Sequence, residues 1–189
     1  WGRPYGTTIE FLSVGQGDAI LIQSKGSYAL VDAGPDPLAR SLTRHLHRSG
    51  VRKLKWVLVT HLHPDHFAGL ADLSKSIEIG EVLFNGRRST SREWIRLRRT
   101  MLTKKIPMSA TVSHRRRLGE STLNFIAPGG LQDHQLREND ASVALKIEAD
   151  GMRALLTGDL EAHGENRLIR HHIGPVELLK LGHHGSRTS

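Results

Sequence analysis

Cysteine is absent from the 189 residues. Disulfides and thiolate metal sites are therefore excluded, and any metal must sit on His, Asp or Glu. The lack of thiols leaves the compartment open and is compatible with an oxidising one. Long apolar runs are also absent: none approaches the ~20 residues that a membrane-crossing helix needs. The N-terminal stretch from Trp1 carries neither an initiator Met nor a signal-peptide pattern, so the chain is expected to be an excised piece of something larger. Acidic residues are in short supply, 19 against 27 Lys and Arg, which leaves a formal net charge of +8. Such an excess favours a polyanionic partner, nucleic acid before an anionic membrane surface.

What is present suits one globular domain with a substantial core. Apolar residues make up 38% and charged residues 24% of the chain. The basic excess is clustered: Arg87-Arg88, Arg92, Arg96, Arg98-Arg99, Lys104-Lys105 and Arg115-Arg116-Arg117 share one middle segment. The 12 histidines are many for this length. His45, His47, His114, His134, His163, His171 and His172 read as surface or capping residues.

Alternating and apolar patterns predict strands at 8–12, 19–23 and 28–31, with a Gly15-Gln16-Gly17-Asp18 loop after the first and a Lys25-Gly26-Ser27 turn after the second. A helix is expected over 37–49, with Leu38, Leu42 and Leu46 on one face and Gly50 closing it. Strand 56–59, a short helix over 67–73 and strand 81–84 follow. A basic helix is expected over 89–105, with Trp94, Leu97 and Met101 on one face, and Pro107 stops it. Two or three short strands are expected in 110–127, then a polar loop from Pro128 to Asp140, a hairpin of 142–148 with 153–156, a helix over about 161–171 and a strand at 176–181. Two sheets packed face to face with helices outside is the layered solution such an order suggests, a mixed α/β (α+β) class.

The stretch Thr60-His61-Leu62-His63-Pro64-Asp65-His66 carries the chemistry. It follows the buried strand 56–59. In extended backbone His61 and His63 point the same way, and the bend at Pro64 lets Asp65 and His66 return to the same region. Imidazole and carboxylate are the usual ligands of zinc and similar ions. Asp32, Asp159 and His183-His184 also fall just past apolar strands, where residues can converge on one sheet edge. Two ions about 3.5–4 Å apart need a bridging carboxylate, and Asp159 is the best candidate. Gly158 permits the sharp turn before it.

These residues resemble the metallo-β-lactamase fold superfamily, whose signature is His-x-His-x-Asp-His. Within it the chain is similar to the family of the DNA-uptake (competence) channel protein ComEC, in its C-terminal metallo-β-lactamase-like domain. The blocks that carry the likeness are Phe11 to Ala19, Leu30 to Gly34, Thr60 to Gly69, Glu138 to Val143, Leu155 to Asp159 and Leu179 to Ser189. The resemblance implies an αββα sandwich of two mixed sheets with helices outside, and a nuclease acting on DNA at the cell surface. Carried over by position, it implies His61 and His63 as ligands of a first ion, and Asp65, His66 and His184 as ligands of a second. Asp159 would lie between the ions, and His183 could take the place of His184 or contact a phosphate. The cofactors would be two divalent ions, Zn²⁺ or Mn²⁺. Asp65, Asp159 and His184 would carry catalysis. His183, Asn139, Asp140, Lys180 and Ser186 would face substrate. Asp18 would line the site edge, and Asp32 would orient a histidine or the loop.

Two positions depart from the pattern. Asn139-Asp140 stands where many superfamily members supply a third histidine to the first ion. His63 stands where many ComEC-like sequences have Asp. The expected activity is hydrolysis of DNA, with degradation of the non-transported strand during uptake in natural transformation, and the expected partner is single-stranded DNA. The domain would stand on the extracytoplasmic face, with a membrane channel elsewhere in the parent chain. Two alternatives stand beside it: a hydrolase of a small phosphodiester or ester, and a catalytically weak DNA-binding module.

Overall fold

The computed structural model describes residues 6–129 and 136–188. The expected 128–140 loop is therefore described only at its ends, and His134 and Ser189 lie outside the described residues.

Strands β1 (Thr7–Phe11), β2 (Ile20–Ser24) and β3 (Ser27–Val31) form an antiparallel meander. A 3₁₀ turn at Asp36–Leu38 leads into α1 (Ala39–Arg48), which buries Ala39, Leu42 and Leu46. A two-residue strand β4 (Lys53–Leu54) precedes β5 (Val57–Val59). The metal-type stretch follows, with α2 (Pro64–Phe67) and α3 (Leu70–Leu73). Where one helix over 67–73 is expected, the structure has two. Pro64, with no N–H to satisfy, takes the first-turn position, so Asp65 and His66 stand inside a helical turn rather than before it. Strands β6 (Glu78–Ile79) and β7 (Val82–Phe84) come next. The basic helix is α4 (Arg92–Thr103), whose Ser91 side chain accepts the Trp94 N–H. The 108–126 region holds β8 (Met108–Ala110), β9 (His114–Leu118) and β10 (Ser121–Ile126). The chain then runs through β11 (Ala144–Ala149), β12 (Met152–Leu156), α5 (Ala162–Ile169) and β13 (Leu178–Lys180).

One sheet has the order β1-β2-β3-β5-β7-β8 and the other β13-β12-β11-β10-β9. Both are mixed: the first becomes parallel from β3 onward, and the second ends in a parallel β12–β13 pair. The sequence pattern explains the layering. Ile20, Ile22, Ala29, Val31 and Leu58 of the first sheet pack on Leu123, Phe125, Leu145, Ile147 and Leu156 of the second. The intervening Leu21, Leu30, Val57 and Val59 turn the other way, onto Leu42 and Leu46 of α1 and Trp94 and Leu97 of α4. Ala144 and Leu155 of the second sheet likewise turn outward to Leu168 of α5. Strands buried on both faces read as near-continuous apolar runs, and the result is helix, sheet, sheet, helix. The β4–β6 pair forms a small extra sheet with no periodic signal in its four residues. Among the described residues no helix is long and apolar enough to cross a membrane.

Candidate metal centre

Asp32 is the fixed point of the centre. It follows the last residue of β3 with φ +57° and is fully buried. Its Oδ1 accepts the Thr60 N–H at 2.8 Å, and its Oδ2 accepts the Thr60 hydroxyl at 2.7 Å and His66 Nδ1 at 2.9 Å. A carboxylate with three such bonds fixes which His66 nitrogen faces away, and so leaves Nε2 pointing outward from Asp32. The Thr60 hydroxyl also lies 3.1 Å from His61 Nδ1. One buried aspartate thus orients the loop and His66 directly, and His61 through Thr60.

The second sheet brings the remaining groups. Asp159 follows Gly158, whose φ is +57° and whose added Cβ would stand 3.0 Å from the Cβ atoms of Thr60 and Ser142. The turn can therefore be close only with glycine there. Asp159 Oδ2 lies 3.2 Å from His66 Nε2, 3.5 Å from His184 Nε2 and 4.0 Å from His61 Nε2. His61, His66 and Asp159 offer ligand atoms within 4.8 Å of one another, as do Asp65, His66 and His184, and as do Asp18, Asp159 and His184. His63 joins none of these groups; its Nδ1 faces His61 Nε2 at 3.1 Å. Asp18 Oδ2, His66 Nε2 and Asp159 Oδ1 are buried without a hydrogen-bond partner. Unpaired carboxylate oxygens beside an imidazole are what a divalent ion satisfies once the imidazole gives up its proton, so the residues present fit such a group.

The same packing sets the charges of the metal-free site. Burial alone would lower the basicity of His66, but Asp32 and Asp159 outweigh it and push its pKa to about 10. Burial alone would raise Asp159, but His66, His61 and Lys180 hold it well below the usual carboxylate range. His61, buried and beside His66, is held well below its ordinary value. In the metal-free protein His66 therefore binds its proton more tightly folded than unfolded. That contribution to stability is complete below the ordinary value of 6.5 and is lost as pH rises through about 10. The melting temperature of chelator-treated protein is expected to fall between pH 7 and 10, and His66→Gln to flatten that slope. A thermal-unfolding series checks it; an equally steep slope in the variant would refute the assignment.

Of the two neighbouring histidines, His184 turns toward Asp159, whereas His183 Nδ1 lies 3.0 Å from Glu161 Oε1 and 3.0 Å from the Thr188 hydroxyl. Both have positive φ, 40° and 55°, so the backbone doubles back and sends their side chains apart. Asn139 also joins the Glu161 network, donating Nδ2 at 3.0 Å. Ser186 bonds locally with Thr188. Asp140 and Lys180, also expected to face substrate, make contacts within the fold. Asp140 Oδ1 accepts the N–H groups of Glu161 and Gly164 and so caps α5. Lys180 points inward: its Nζ lies 2.5 Å from Asp18 Oδ2, donates to the Gly158 carbonyl at 2.8 Å and stands 3.6 Å from Asp159 Oδ1.

Three participants were not singled out by sequence reasoning. Thr60 carries the hydroxyl link just described. Glu138 Oε1 accepts the Leu62 N–H at 2.7 Å and the Asn85 amide at 3.1 Å, and so pins the histidine loop. Gly17 lies against the Asp65 carbonyl. Thr60 and Glu138 open two of the motif blocks, which is the one signal that could have found them. Nor is the basic segment uniformly free. Arg87 pairs with Glu138, Arg96 with Asp36, and Arg116 with Glu81. Arg92, Arg98, Arg99, Lys104 and Lys105 remain exposed on or just after α4. That helix packs Trp94 edge-on against Phe67, the last residue of α2, with ring centres 5.5 Å apart, and Arg96 donates to the Ala68 carbonyl. The exposed basic face thus belongs to the helix that seats the histidine loop.

Two mixed sheets between helical layers, with histidines and aspartates gathered at one edge, define a metallohydrolase class, and the chain belongs to the Metallo-beta-lactamase superfamily, whose family model matches residues 12–189. That fold generally supports metal-dependent hydrolysis. Within the superfamily the chain is similar to competence proteins of the ComEC type. It is 26% identical over 184 residues to Competence protein ComA of Neisseria gonorrhoeae, covering 93% of this chain and 23% of that protein. It is 26% identical over 186 residues to Recombination protein 2 of Haemophilus influenzae, covering 96% and 22%. The chain thus spans under a quarter of these curated relatives. A solved metallo-β-lactamase of Cronobacter sakazakii with a HARLDQ motif shares the fold at TM-score 0.62 and 17% identity, over 95% of this chain and 74% of its own.

Proposed function

We propose that this domain is a metal-dependent phosphodiesterase that hydrolyses DNA, degrading the non-transported strand at the extracytoplasmic face during uptake, while a membrane channel elsewhere in the parent chain passes the other. The observation that supports this best is the joining of two features on one loop. The histidine loop faces Asp159 and His184 on one side and is seated by the basic helix α4 on the other. The names of the relatives, competence and recombination proteins, point to the same substrate class.

In this reading His61 and His63 would hold one divalent ion and Asp65, His66 and His184 another, Zn²⁺ or Mn²⁺, with Asp159 available to either. Such ions would supply Lewis acidity, activating water near neutral pH and offsetting negative charge on the phosphoryl group. The chain's own residues do the rest. Asp32 fixes the His66 tautomer, Thr60 and Glu138 hold the loop backbone, and Asp65, the most exposed of the site carboxylates at 31%, can carry a proton to the leaving oxygen. The α4 arginines attract the phosphate backbone.

Incubating Mn²⁺- or Zn²⁺-loaded protein with single-stranded DNA, bis-p-nitrophenyl phosphate and a β-lactam tests the proposal. DNA cleavage that is lost in Asp65→Ala is expected. Turnover of the small diester alone would favour a small-molecule hydrolase. Salt-sensitive DNA binding without turnover of any substrate would favour an inert binding module. Either result would overturn the nuclease reading.

A further inference from the structure

Lys180 is an unusual neighbour for a divalent-cation centre. Its side chain is 10% exposed, and its ammonium sits among the same groups that would surround an ion. An ammonium has three donors. Here one donates to the Gly158 carbonyl at 2.8 Å, while the charge stands in ion-pair contact with Asp18 Oδ2 at 2.5 Å and, more distantly, with Asp159 Oδ1 at 3.6 Å. The position is built rather than incidental. Lys180 ends β13, its own carbonyl accepts the Thr157 hydroxyl at 2.8 Å, and the Asp18 carbonyl is tied by the Gly34 N–H at 2.9 Å. Asp18, for its part, is within reach of an ion. Its carboxylate shares ligand-range clusters with Asp159 and His184 and with Asp32 and His66, and its Oδ1 is 3.7 Å from His184 Nδ1. Nothing in its distance from the centre excludes it from coordination, yet Lys180 stands against it.

We propose that Lys180 is a positioning residue that fixes the ligand set of the centre: by pairing with Asp18 it withholds that carboxylate from the ion, and its own fixed positive charge keeps divalent binding from becoming tighter. The inference rests on the reading of this site as a metal centre. It follows from the physics of close charges. A positive charge beside the Asp159 carboxylate opposes a second cation there, and its effect is strongest where water is excluded. An aspartate already neutralised by an ion pair is also a poorer ligand than a free one. Holding Asp18 away leaves room at the ion for water and a phosphoryl oxygen, and keeps the carboxylate count of the coordination shell low.

Isothermal titration of chelator-stripped protein with Mn²⁺, and visible absorption of the Co²⁺-loaded form, test this without reference to activity. Lys180→Met is expected to bind Mn²⁺ tenfold or more tightly, with a changed Co²⁺ spectrum as Asp18 enters the shell. The charge-neutral pair Lys180→Met with Asp18→Asn removes both partners at once, which a buried pair tolerates well. It is expected to bind within about threefold of the unaltered protein and to restore its spectrum. A tenfold loss in that double variant would show Asp18 to be a ligand and overturn the proposal, even if the single variant failed to fold. Unchanged or weaker binding by a folded Lys180→Met protein would overturn it too. Failure of the unaltered protein to bind Mn²⁺ or Co²⁺ would instead refute the metal-centre reading.

Discussion

Asp159→Asn is expected to abolish hydrolysis and to weaken divalent-ion binding at least a hundredfold while leaving the fold intact. A single oxygen of Asp159 faces His66, His184 and His61 at 3.2, 3.5 and 4.0 Å. No other carboxylate oxygen among the described residues is recorded facing that many of these histidines. Asparagine keeps the shape, so the turn at Gly158 and the bond from the Asp159 N–H to the Ser142 hydroxyl persist. What disappears is the charge. A neutral amide is a far poorer ligand than a carboxylate for a hard or borderline cation. It also removes one of the two anions that keep His66 protonated in the metal-free state. Metal titration together with circular dichroism checks the expectation. A folded variant that binds metal like the parent would sink the central role given to this residue.

The second large effect is expected at a residue with no side chain. An added Cβ at Gly17 would stand 2.0 Å from the carbonyl oxygen of Asp65, at a φ of +118° that L-residues rarely adopt. The obstacle is backbone and cannot rotate away. Gly17→Ala should therefore displace the turn carrying Asp65 and His66, cost on the order of 2 kcal/mol of stability, and lower metal affinity tenfold or more. Gly50→Ala provides the control. It too has positive φ, +77°, but an added Cβ there meets nothing within 4 Å. It shares the backbone strain without the collision and should leave metal affinity unchanged. Equal loss in both variants would mean that strain alone, and not contact with Asp65, is responsible.

Much of the fold was legible because the strands of both sheets alternate between two buried faces. Leu21, Leu30 and Leu155 lie on the helix side and Ile22, Val31 and Leu156 between the sheets, so short apolar runs bounded by turn residues mark these central strands. What escaped had no period to show. The four residues of β4 and β6 are too few, and β8 joins the first sheet although it lies beside β9 and β10 of the second in sequence. The site was half legible in the same sense. Spacing could bring the histidine stretch together, because those residues are local. It could not say that Asp140 caps α5 or that Lys180 turns inward to Asp18, because both depend on where α5 and β13 dock. Nor could it say that Arg87 and Arg116 are spent on Glu138 and Glu81 rather than presented to a partner.

The division of the centre between two sheets has a consequence for the order in which the protein becomes competent. His61, His63, Asp65 and His66 are synthesised more than ninety residues before Asp159, and His184 comes later still. The early residues can fold against β3 and β5, with Asp32 already in place. Until β12 and β13 dock, however, the emerging chain has no Asp159 or His184 opposite His66, and Lys180 has not reached Asp18. A nascent or half-folded chain would carry a docking loop without a working centre. The centre is therefore complete only when β12 and β13 dock and carry Asp159 and His184 to the histidine loop.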